Sequence, residues 1–88
     1  MRQPCHGVAF GLCIRGLRSK SGITQEALAL AAGIDRGYMG ALERGRHSPS
    51  LEKIYRLLGP LGVTFQEFAA EYDKCLRRAQ REMKKNGL

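Results

Sequence analysis

Eighty-eight residues with a hydrophobic fraction of 43% make one small globular domain, near the lower limit for a core without disulfides or metal, and leave no room for a second. Fifteen Lys and Arg against eight Asp and Glu give +7, a field that favours polyanions such as nucleic acid or acidic membrane surfaces. The odd set Cys5, Cys13 and Cys75 has no CxxC or Cys/His spacing, and the apolar run 8–14 is too short and broken for a signal peptide or a membrane span. A disulfide framework, a zinc site and a secreted protein are therefore not expected; a reducing cytoplasm is.

Glycines 22, 33, 45 and 62, together with Pro49, divide the chain into five helical segments without strands. Residues 1–7, with His6 beside Cys5, read as a disordered terminus. Helix one is expected over 8–21, with Phe10, Ile14 and Leu17 on one face and Gly11 and Gly16 weakening it. Helix two has Thr24 as N-cap, the apolar set Leu28, Ala29 and Ala32, and a stop at Gly33. Helix three follows Asp35 as N-cap, turns Met39 and Leu42 inward and ends at Gly45. Helix four, capped by Ser50, should bury Leu51, Ile54, Leu57 or Leu58, and Leu61, with Pro60 kinking it or ending it early. Helix five opens on a capping box, Thr64 with Glu67, flanked by the staple pair Val63 and Phe68.

Two short helices joined by a glycine turn cross steeply only if the facing side chain is small, which suits Ala29 to the closest approach. With Gln25, Ala29, Gly33, Ile34, Met39 and Leu42 in place, the runs ITQEALALAAGIDRGYMGALERG and SPSLEKIYRLLGPLGVTFQEF resemble the lambda-repressor-like, XRE-type helix-turn-helix family, which includes small phage regulators and restriction-modification controller proteins. The resemblance implies an all-α, five-helix domain over 8–72, with a basic extension of the last helix over 73–88. It implies that helix three enters the major groove of duplex DNA while helix two crosses the backbone. By position, Gln25 would bind a phosphate and brace helix three. Arg36, Gly37, Gly40 and Ala41 would face bases, and Tyr38, Arg44 and Arg46 would hold the backbone. The resemblance also implies a buried ion pair between Arg18 and Glu43.

Arg36 has a physical argument of its own, because a cation in the first turn opposes the helix dipole at a cost of a few tenths of a kcal/mol. Bidentate pairing to guanine, at about 1–3 kcal/mol of discrimination, would offset it; a solvated arginine on an exposed turn is the plainer alternative. Gly37 and Gly40 each cost about 0.5–1 kcal/mol relative to alanine. Either they let the helix sit deep, with Ala41 on a thymine methyl, or direct readout is sparse and DNA shape carries specificity. His47, in the polar loop RGRHSPS, is a further phosphate candidate or simply solvated.

From Phe65 the apolar residues Phe65, Phe68, Tyr72, Leu76, Ala79 and Met83 form a heptad-like seam running past the expected end of the globular body. With Tyr55 it predicts a homodimer that presents two reading helices to a pseudo-palindromic operator; the alternative is a basic helix attracting DNA without sequence preference. The expected function is a cytoplasmic, nucleoid-associated transcriptional regulator, more a repressor than an activator, without cofactor, metal, membrane or small-molecule ligand. An antitoxin-like module whose last helix binds a protein partner is the second reading. An enzyme is not expected, since no nucleophile and base stand at workable spacing.

Overall fold

The computed structural model describes residues 4–85, with side chains from 6 to 82. Five helices follow in order: α1 Pro4–Ser21, α2 Gln25–Ala32, α3 Arg36–Glu43, α4 Leu51–Leu61 and α5 Phe65–Lys85. No strand occurs among the described residues, and no helix is long and apolar enough to cross a membrane.

The starts are set by side-chain caps. Thr24, Asp35 and Ser50 accept hydrogen bonds from the amides of Ala27, Tyr38 and Lys53 respectively. At α5 the reciprocal pair is complete: the Thr64 amide donates to Glu67 Oε1 at 2.9 Å, and the Glu67 amide donates to Thr64 Oγ1 at 3.1 Å. The stops share one geometry. At Gly33, φ is 69°, and the Ile34 amide reaches back to the Ala29 carbonyl at 2.9 Å; Gly22, Gly45 and Gly62 repeat the pattern with positive φ.

The core gathers Phe10, Cys13, Ile14 and Leu17 from α1, Leu28 and Ala29 from α2, Met39 and Leu42 from α3, Leu57, Leu58 and Leu61 from α4, and Phe68, Cys75 and Ala79 from α5. Helix α1 packs against both α3 and α5.

Four expectations are corrected. Helix one begins at Pro4 rather than residue 8, so residues 4–7 are not disordered; residues 1–3 lie outside the described ones. Proline suits a first helical turn, where its missing amide hydrogen is no loss, and His6 Nδ1 lies 2.7 Å from the Tyr72 hydroxyl. Leu51 is exposed at 60%, because the first turn of α4 projects beyond the core. Pro60 neither ends nor shortens α4, which continues to Leu61; the residue before it is Gly59, without the Cβ that a proline ring would strike.

The fourth correction concerns the seam. Phe68 is 5% exposed and Ala79 1% within a single chain, and Tyr72 and Leu76 are half-buried against the core. The α5 extension, as far as Ala79, is thus folded onto α1 instead of running free past the body. Phe68 and Ala79 cannot serve a second chain. Of the seam, Phe65 stays exposed, stacked on Tyr55 at 5.2 Å between ring centroids; the side chain of Met83 lies outside the described residues.

Candidate nucleic-acid interface

Helix α3 is held from behind by two devices, one made of glycines and one of charge. Gly7 and Gly11, one turn apart on α1, lie where a Cβ would stand 2.8 Å from the Gly45 carbonyl oxygen and 2.4 Å from that of Glu43. Only hydrogen at these positions lets α1 touch the backbone at the end of α3. The glycine that looks like a helix weakness at position 11 is a condition of the contact.

The charge device starts at Arg18. Its Nε donates to Glu43 Oε2 at 2.8 Å and its Nη2 to Glu43 Oε1 at 3.0 Å, a two-pronged pair across α1 and α3. The Glu43 side chain is only 4% exposed, so the carboxylate depends on these donors. The hydrogen bond to Glu43 raises the Arg18 pKa above the ordinary arginine range, against the opposing effect of burial.

Gln25, the first residue of α2, extends the pair forward. Its Nε2 donates to Glu43 Oε1 at 3.1 Å, and its Oε1 accepts from Arg36 Nε at 3.3 Å. One amide thereby ties the start of α2 to both ends of α3, and its nitrogen keeps a second hydrogen for another acceptor. Arg36 is exposed at the leading edge of α3, its guanidinium steered by this chain.

Gly37 is also exposed on that edge, while Ala41 is half-buried. A Cβ on Gly37 would come 3.1 Å from Asp35 Oδ2, so its cost in helix propensity clears space for the N-cap carboxylate. Gly40 departs from its expected base-facing place. It is buried, with Arg44 Nη1 and Gln25 Oε1 at 3.2 and 3.7 Å from the point a Cβ would occupy, so in the free protein two side chains cover it.

Along the flank, Arg44, Arg46 and His47 are exposed. Tyr38 is half-buried between two partners: the His47 ring stacks on it at 5.0 Å, and Lys53 Nζ lies 4.9 Å from its centroid. Lys53 had escaped the sequence reading. The signal was present, since Lys53 is a cation in the first turn of α4 and opposes the dipole there just as Arg36 does in α3.

Comparison with known proteins agrees with this geometry. The helix-turn-helix family profile matches residues 14–68. The immunity repressor protein of Bacillus phage phi105 is 33% identical over 64 residues, covering 73% of this chain and 44% of that repressor, so the chain spans less than half of that relative. Among solved structures, the clp gene regulator ClgR from Corynebacterium glutamicum superposes with a TM-score of 0.79 at 28% identity, covering 91% of this chain and 87% of that one. The restriction-modification controller protein C.AhdI from Aeromonas hydrophila gives a TM-score of 0.67 at 40% identity, over 70% of this chain and 94% of that one. The chain belongs to the XRE-type helix-turn-helix family of DNA-binding transcriptional regulators.

Proposed function

We propose that the protein is a homodimeric, sequence-specific repressor acting on a pseudo-palindromic operator in the cytoplasm. The observation that carries the reading is the leading edge of α3. Arg36 and Gly37 lie exposed there, on a helix whose rear is locked to α1 through Glu43. A rigid helix with a free, cationic first turn is what entry into a major groove requires. Arg36 pairs with a guanine edge, and Ala41 offers a methyl contact at the margin. Gln25, Tyr38, Arg44, Arg46 and His47 hold the backbone on either side, with Lys53 added to that group.

The dimer rests on the exposed start of the seam, Phe65 with Tyr55, extended by Leu51 in place of the buried Phe68 and Ala79. Leu51 and Tyr55, one turn apart on α4, are exposed at 60% and 55%, and Tyr55 stacks on the exposed Phe65 of α5. A two-fold axis through this patch would bury three large apolar side chains from each copy. The antitoxin-like alternative needed a tail that folds only on a partner, and here the tail is packed against its own α1.

Selection of binding sites from random duplexes, followed by affinity measurement on operator and random DNA, tests the reading. Arg36→Ala should lose preference for the operator, whereas Arg44→Ala should weaken both DNAs. Equal losses on both for Arg36→Ala would remove it from the reading set. Tyr55→Asp should yield monomers by sedimentation, and an unchanged profile would dismiss the α4 patch.

A further inference from the structure

Helix α5 carries a second line of positive charge that the reading of α3 leaves unused. Lys74, Arg78 and Arg81 are exposed and follow one another at steps of four and three; Lys85, the last helical residue, falls in the same register. Such steps keep residues on one side of a helix, so the exposed line from Lys74 to Arg81 runs about 10 Å with a cation at each turn. Ion pairing takes little from it. Arg77, on the neighbouring flank, bonds Asp73 at 2.7 Å, and Lys74 lies 3.9 Å from Glu71. Arg78 and Arg81 carry no ion pair among the described residues.

The line keeps to an exposed flank, because Phe68, Cys75 and Ala79 occupy the buried side of the same helix. It also belongs to a helix that does not pack on α3: α1 packs against both helices, while α3 and α5 make no extensive contact with each other.

We infer that this line is a second DNA surface, which holds the phosphate backbone of a duplex segment other than the one entered by α3 and does so without regard to sequence. A row of evenly spaced cations matches a linear polyanion, whose bound counterions each such contact releases. An acidic membrane fits less well. An interfacial helix inserts an apolar face beside its cations, and the apolar face of α5 is already occupied by α1. A protein partner would want an aromatic or aliphatic anchor at the centre of its patch, and the line offers none. The inference does not depend on which residues of α3 touch bases; it rests on the repressor reading only for its consequence, that one protein can bridge two DNA segments.

The test uses the full chain and a long random-sequence duplex, with affinity followed against salt. Removing three cations in Lys74→Gln/Arg78→Gln/Arg81→Gln should lower the slope of log affinity against log salt by about 2 to 3, at about 0.9 per contact. Energy transfer between two separately labelled duplexes should appear with the native protein and vanish with this variant. All three positions are exposed, so helicity and Tm should not change. An unchanged slope would overturn the inference, as would a variant that keeps its DNA slope but loses binding to phosphatidylglycerol vesicles. Arg44→Ala/Arg46→Ala, measured beside it, separates the two readings. A slope lowered only by this second variant sinks the α5 surface alone, and a slope lowered only by the α5 variant sinks the backbone contacts assigned near α3.

Discussion

Helix α1 touches α3 and α5 by different means, and the contrast follows the job each neighbour has. Toward α3 the contact is directional: glycines at 7 and 11 admit the backbone of residues 43 and 45, and Arg18 clasps Glu43 with two donors. Toward α5 the contact is filled mainly by volume, with His6–Tyr72 and Lys20–Glu71 at its edges. Phe10 meets Phe68 edge to face at 5.9 Å, and Cys13 and Cys75 are buried thiols at the same contact. A core of the second kind tolerates exchange among apolar residues of similar size. A helix that must meet DNA at a set attitude cannot be held that way, because a shift of an ångström would carry its first turn off the base edges.

The sharpest way to break the comparison is to remove the clasp. Arg18→Met leaves the Glu43 carboxylate buried without its main donors and should cost about 3–5 kcal/mol of stability. A double variant that also replaces Glu43 by Leu should recover much of that in thermal denaturation without recovering operator affinity. Recovery of both would mean that the pair serves stability alone.

Gly11→Ala comes next. Its Cβ would meet the Glu43 carbonyl at 2.4 Å, so either helix must move, at about 1–3 kcal/mol, and DNA affinity should fall with it. Gly16 supplies the control on the same helix, where the nearest atom to a Cβ is Glu71 Oε2 at 3.9 Å. Gly16→Ala should stabilise the fold by about 0.5–1 kcal/mol and leave DNA binding alone. A similar loss at both positions would show that backbone approach to α3 is not what sets glycine at 11.

The smallest effect is silent at neutral pH. Burial, with lesser contributions from Cys75 and Glu71, pushes the Cys13 thiol from 9.0 up to about 12. Between those values the unfolded chain releases this proton while the folded one keeps it, so stability is undiminished below 9.0 and is lost as pH rises toward about 12. Thermal unfolding across that range should show an alkaline decline that Cys13→Ala reduces. An equally steep decline in the variant would place the lability elsewhere.

Much of α3 was legible in the sequence because its signals are local. Asp35 caps the amide of Tyr38, Gly33 and Gly45 bracket α3, and Met39 and Leu42 turn inward at helical spacing. Arg36 could be singled out from its unfavourable place in the dipole. Gly40 could not be placed in the same way. Whether a small residue opens a groove to DNA or makes room for its own neighbours depends on where Gln25 and Arg44 reach, and those side chains arrive from outside the local turn.

Local chemistry therefore determined five helices with most of their caps and stops, and a family resemblance carried by residues 23–45 marked α2 and α3 as a helix-turn-helix. Tertiary structure decided what the heptad-like face of α5 is for. Periodicity records that a face is apolar but not what covers it, and a partner chain and a neighbouring helix leave the same pattern. Here α1, lengthened to Pro4, supplies the cover, and the opposite side of α5 remains as an open row of cations.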